Sequence, residues 1–252
     1  MTSMVRPGGA LASRPLHFFW IIDCSGSMQG TKIGTVNNAV METLPDMRKS
    51  AAENPNAQLL IRVMKFSDDA QWITPNAVEV ENFHWTDLEA DGGMTNMGEV
   101  FELLTRELTM PPMPQRALPP VIVMLSDGQA TDSYRKPLEK LLSMPWGKKS
   151  VRIAIAIGHD ADFDALKKFT GNSELVIEVD NAPKLVKAIK WASTIAASVS
   201  APASVQPQTP TAGTSIVTTA PPPNVTPVAI LPPLPDDDED PNEADINSDD
   251  VF

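Results

Sequence analysis

The chain has 252 residues, a hydrophobic content of 42% and a formal net charge of −12, a length that suits one medium domain with added segments or two small domains. The charge is unevenly placed. Residues 201–252 hold nine of the 32 acidic groups, none of the 20 basic ones and eleven of the 24 prolines, leaving 23 acidic against 20 basic groups, a net −3, in residues 1–200. A nearly neutral body excludes a broad basic surface for nucleic acid or an anionic membrane, and a single cysteine excludes an internal disulfide.

Residues 1–13 carry no apolar pattern and are expected to be flexible. The first strand is "LHFFWII" at 16–22; it is short, contains His17 and stops at Asp23, so it is not expected to act as a signal peptide, and no run reaches the roughly 18 apolar residues that span a bilayer. A cytoplasmic location is the expectation. A helix follows over 31–54, with Pro45 expected to kink or break it. Next come the strand "QLLIRVMKF" and, after only an "SDDA" turn, "AQWIT", too close for a parallel crossover and therefore an antiparallel edge. The remaining pattern is helix 96–108, strand "PVIVMLS", helix 134–143, strand "VRIAIAIG", helix 162–169, strand "LVIEV" and helix 183–198.

Three strands, "FFWII", "VIVML" and "IAIAI", are apolar on both faces, as central strands covered by helices on each side must be. The expected fold over 14–199 is α/β, a doubly wound and mainly parallel six-stranded sheet with one antiparallel edge strand and helices on both faces. Residues 200–235 are rich in proline and threonine and residues 236–252 are acidic. Neither has enough patterned apolar surface to offset the entropy of ordering, so both are expected to be a disordered linker and tail.

In an open α/β sheet ligands gather beyond the carboxyl ends of the strands. Three segments bring oxygen side chains there: "DCSGS" with Asp23, Ser25 and Ser27, "DGGMTNMG" with Thr95, and "SDGQATD" with Asp127. The two-residue steps from Asp23 to Ser25 to Ser27, with Gly26 at the bend, can aim three side chains at one point. Five oxygen donors without nitrogen or sulfur suit a hard cation, Mg²⁺ first, with Mn²⁺ or Ca²⁺ as alternatives, and fit zinc poorly. Two carboxylates at most cancel the charge of a dication. Such an ion remains electrophilic and can take an anionic oxygen from a partner.

At these residues the chain resembles a von Willebrand factor A domain with a metal-ion-dependent adhesion site, whose Asp-x-Ser-x-Ser, distant Thr and Asp-Gly fall on Asp23, Ser25, Ser27, Thr95 and Asp127. The segments "IDCSGSM", "GGMTNMGEVF", "SDGQATD" and "AIGHDADFDALKKFTG" are most similar to bacterial TerY-like or YegL-like proteins of the tellurite-resistance class. The resemblance implies a Rossmann-like fold, direct metal contacts from Ser25, Ser27 and in some members Thr95, and contacts through water from Asp23 and Asp127. It also implies a non-catalytic, metal-dependent module that captures an Asp or Glu of a partner protein, in a stress-response setting with a protein kinase and a metal-dependent protein phosphatase. Neither a membrane nor direct nucleic-acid binding belongs to that reading. "DGGMTNMG" has one residue more between its glycines and Thr95 than the usual form.

Two other classes fit parts of the sequence. A Mg²⁺-dependent phosphotransferase of the Asp-x-Asp type also places an aspartate after a central strand, but Ser25 stands where its second acid belongs. A flexible tether could act through the acidic tail ending "DDVF". Cys24 reads as a small packed side chain, and His17, His84 and His159 as packing or surface residues, His159 near the rim of the site. The stretch "HWTDLEADGG" is either a partner surface or a solvated connection. Asp132 is read as reaching toward the site or capping the helix that starts near Tyr134.

Overall fold

The computed structural model describes residues 13–200; the segment before them, the proline-rich linker and the acidic tail lie outside the described residues. In chain order the elements are β1 (Arg14–Asp23), α1 (Thr31–Glu53), β2 (Ala57–Phe66), β3 (Ala70–Trp72), β4 (Val78–Glu79), α2 (Met97–Glu107), β5 (Val121–Ser126), α3 (Arg135–Ser143), α4 (Pro145–Lys149), β6 (Val151–Ile157), α5 (Phe163–Thr170), β7 (Val176–Val179) and α6 (Ala182–Ser200). They form one sheet in the order β3-β2-β1-β5-β6-β7, with β4 also on β2.

Alternation along β1 divides the interior into two layers. Leu16, Phe18, Trp20 and Ile22 join one buried cluster with α1 and α6 residues such as Val36, Val40, Leu185 and Ile189. Phe19 and Ile21 join the other, with Val100, Phe101, Leu138 and Phe169 from α2, α3 and α5. Burial on both faces is why β1, β5 and β6 read as unbroken apolar runs, and β1 pairs in parallel with both β2 and β5.

The sheet has seven strands where the sequence suggests six. The extra one, β4, is a two-residue antiparallel pairing with Leu60 and Ile61, while β3 pairs antiparallel with β2 further along, at Met64 to Phe66. Together they form one antiparallel edge interrupted at Thr74 and Pro75. Arg62 holds the interruption: it donates to the carbonyls of Thr74 and Pro75, pairs with Glu107 and lies 3.9 Å over the Trp72 ring.

Pro45 does not break α1, which runs unbroken from Thr31 to Glu53. Pro45 and Met41 both face solvent, so water can satisfy the Met41 carbonyl that the missing N–H leaves free. The short α4 begins with Pro145, which suits a first helical turn. At Gly147 a Cβ would come within 1.8 Å of the Leu141 carbonyl oxygen, so only glycine fits. Among the described residues no helix is long and apolar enough to cross a membrane.

Candidate metal site

The parallel register of β1 and β5, with Ile22 opposite Leu125, sets Asp23 beside Ser126 at the carboxyl edge. Ser126 donates from Oγ to Asp23 Oδ2 at 2.6 Å, and the Ser25 backbone N–H donates to Asp23 Oδ1 at 2.9 Å. Asp23 is fully buried. Burial raises its pKa above the usual aspartate value, the serine hydrogen bonds oppose that shift, and the nearby Asp127 carboxylate adds to it.

Residues Gly26–Met28 make a single 3-10 turn, and Gly30, at φ 75°, lets the chain enter α1 directly. The turn brings Ser25 Oγ within 3.1 Å of Ser27 Oγ, and Ser27 Oγ donates to Asp127 Oδ1 at 2.7 Å. The second oxygen of Asp127 accepts from Lys32 Nζ at 2.7 Å. Asp23, Ser25, Ser27 and Asp127 thus form one polar cluster across two strand ends.

Thr95 reaches the cluster from the third loop. The Gly92 N–H donates to the Cys24 carbonyl, and a Cβ on Gly92 would lie 2.2 Å from that of Ser67, so the glycine is needed for this approach. The Thr95 N–H donates to Thr131 Oγ1, and the Thr95 carbonyl accepts from the Thr131 N–H. These bonds fix the backbone and leave Thr95 Oγ1 without a hydrogen-bond partner among the described residues, on a residue only 5% exposed. A Cβ placed on Gly128 would meet Thr95 Oγ1 at 3.0 Å and Ser27 Oγ at 3.8 Å. The absent side chain of Gly128 therefore leaves a space flanked by both hydroxyls. Met94, the residue that lengthens this loop, is exposed while Thr95 is buried, so the insertion does not carry Thr95 away from the cluster.

The structure therefore brings together all five residues singled out from the sequence. Among the described residues no group of three or more His, Cys, Asp or Glu side chains could hold a metal ion. A metal site here has to recruit hydroxyls, and three of them stand in this cluster. Ser126, Thr131 and Lys32 also shape it and were not singled out. Ser126 sits one residue before Asp127 at a strand end, and Lys32 places a cation at the start of a helix, where dipoles disfavour one.

Asp132 accepts from the Gly98 N–H at 2.8 Å, so it caps α2 rather than α3, the helix beginning near Tyr134. In "HWTDLEADGG", Asn37 of α1 accepts from Trp85 Nε1 and the Leu88 N–H and donates to the Leu88 carbonyl, and Leu88 and Ala90 are buried. The stretch is anchored at Trp85, Leu88 and Ala90, while His84, Thr86, Asp87, Glu89 and Asp91 are exposed. His17 is buried with its ring stacked on Phe19 at 5.8 Å, and burial lowers its pKa. His84 and His159 are exposed. Next to His159, the Asp160 carbonyl accepts from Gln129 of the Asp127 loop, which sets His159 near the rim. The buried Cys24 thiol is pushed up to about 12, first by burial and then by Asp23.

Solved structures share this fold at low identity. A von Willebrand factor type A protein from Catenulispora acidiphila superposes with a TM-score of 0.55 at 18% identity, over 74% of this chain and 43% of that one. The pilus adhesin SpaC from Lactobacillus rhamnosus GG gives 0.59 at 12%, over 74% and 31%. Proximal thread matrix protein 1 from the mussel byssus, in a structure with a zinc-occupied MIDAS motif, gives 0.55 at 17%, over 74% and 46%. This chain spans less than half the length of each. No curated protein matches its sequence. A family model, von Willebrand factor type A domain, matches residues 19–191, most of the chain, and the chain belongs to that family.

Proposed function

We propose that Asp23, Ser25, Ser27, Thr95 and Asp127 hold a divalent cation and that the loaded site captures an acidic side chain of a partner protein. The observation that carries this reading is the convergence of Ser25, Ser27 and Asp127 at 3.1 and 2.7 Å, with the unpartnered Thr95 hydroxyl beside the space at Gly128. Hydroxyls and carboxylates suit Mg²⁺, with Mn²⁺ or Ca²⁺ next. The zinc in the MIDAS motif of the mussel protein makes Zn²⁺ a fourth ion to test. A bound dication would supply an electrophilic centre for an anionic oxygen. The chain's own part is to orient Asp23 through Ser126 and the Ser25 N–H, whose hydrogen bonds oppose the upward shift that burial imposes on its pKa, and to fix the Thr95 backbone through Thr131.

The finer assignment rests on the sequence segments alone. It is a TerY-like, cytoplasmic protein working with a protein kinase and a metal-dependent protein phosphatase in a tellurite or stress response. Affinity purification of the full chain in Mg²⁺ and again in EDTA tests both levels. Partners retained only with Mg²⁺, and lost with Ser25→Ala, support metal-dependent capture. The identity of those partners tests the TerY-like assignment. Partners bound equally in both buffers and by the variant contradict the reading.

A further inference from the structure

Lys32 is the second residue of α1, and its Nζ lies 2.7 Å from Asp127 Oδ2. The Asp127 side chain is fully buried, while that of Lys32 remains 21% exposed. A cation in the first turn of a helix sits at the positive end of the macrodipole, an unfavourable place unless a local anion holds it. Asp127 is that anion. Its two oxygens are divided between Ser27, a member of the proposed metal set, and this ammonium.

The arrangement has a consequence for charge. Asp23 and Asp127 are both buried and near enough for one to perturb the other. Without a cation, two carboxylates would share a desolvated site, which is costly. A lysine supplies one positive charge on a flexible four-carbon stem, and the part-exposed position of Lys32 gives its head a path back to water. A hard dication is attracted to the same oxygens.

We propose that Lys32 is a tethered counter-cation that occupies Asp127 when the site holds no metal and competes with a divalent ion for that carboxylate. This rests on the metal reading above. Lys32 then compensates the buried charge of the metal-free protein and weakens metal binding, so that the site loads only at higher metal concentration. A positive charge kept near the loaded site also leaves the ion less neutralised and better suited to an acidic ligand.

The test is calorimetric titration of the full chain with MgCl₂, comparing wild type with Lys32→Met, Lys32→Arg and Ser25→Ala, alongside thermal unfolding in EDTA. Lys32→Met is expected to bind Mg²⁺ about tenfold more tightly, because the competing charge is gone. It should also unfold at lower temperature in EDTA. Lys32→Arg keeps the charge and should stay within about threefold of wild type. Equal or weaker Mg²⁺ binding by Lys32→Met, with wild type still binding and Ser25→Ala not, overturns the competition and leaves the metal site standing. An equal shift in both Lys32 variants also overturns it, since charge would not be the cause. No binding by wild type or Lys32→Met removes the metal reading and this inference together.

Discussion

Ser27 donates a 2.7 Å hydrogen bond to Asp127 across 100 residues of sequence. That bond joins the loop after β1 to the loop after β5, two adjacent parallel strands whose carboxyl ends meet at one edge. The serine turn has no need of Asp127 for its own conformation, since the Ser25 N–H is already satisfied by Asp23 and the turn closes through its own backbone. The link between the loops is therefore a property of the site rather than of either turn.

Gly128 separates the two hydroxyls that flank the space. In Gly128→Ala the new Cβ would lie 3.0 Å from Thr95 Oγ1, so the threonine hydroxyl must shift. Mg²⁺ affinity should fall about tenfold, while denaturant unfolding in EDTA changes by about 1 kcal/mol, the lower end of overpacking costs. Unchanged affinity in calorimetry would remove Thr95 from the donor set.

Asp23 carries a sign that can be checked. Its folded pKa is raised above the ordinary 3.8, chiefly by burial. Its stabilising contribution is therefore fully present below 3.8 and is lost as pH rises through the raised folded value. In EDTA, urea unfolding of wild type should lose ground to Asp23→Asn as pH rises through that window, and saturating Mg²⁺ at neutral pH should reverse the order. A wild type that gains on Asp23→Asn with rising pH in EDTA would contradict this assignment.

Cys24 lies between two site residues, yet its thiol is buried and pushed up to about 12. Alkylation by iodoacetamide at pH 8 should be at least about a hundredfold slower in the native chain than in urea, because the thiolate is the nucleophile. Comparable rates would mean that the turn opens readily.

Much of this was legible from local pattern. β1, β5 and β6 announce themselves because burial on both faces removes polar residues, and Asp23, Ser25 and Ser27 share one tight turn whose spacing is written in the five letters "DCSGS". What was not legible depends on register and tertiary packing. Ser126 matters because β5 lies beside β1 in a register that faces it to Asp23. Lys32 matters because α1 starts beside Asp127. Asp132 caps a helix that begins 35 residues earlier in the chain, which no local capping rule reveals. Pro45 is tolerated on the exposed face of α1, where Met41 is exposed as well, and β4 is too short for any alternation to show.

The most direct test of the central claim is calorimetric titration of Mg²⁺ into the full chain, with Asp127→Ala and Ser25→Ala as comparisons. The five-donor account predicts one site per chain, saturable and abolished or weakened at least about tenfold by either substitution. Saturable binding that survives both changes would place the ion elsewhere, and no binding of Mg²⁺, Mn²⁺, Ca²⁺ or Zn²⁺ to wild type or to Lys32→Met would contradict the account outright.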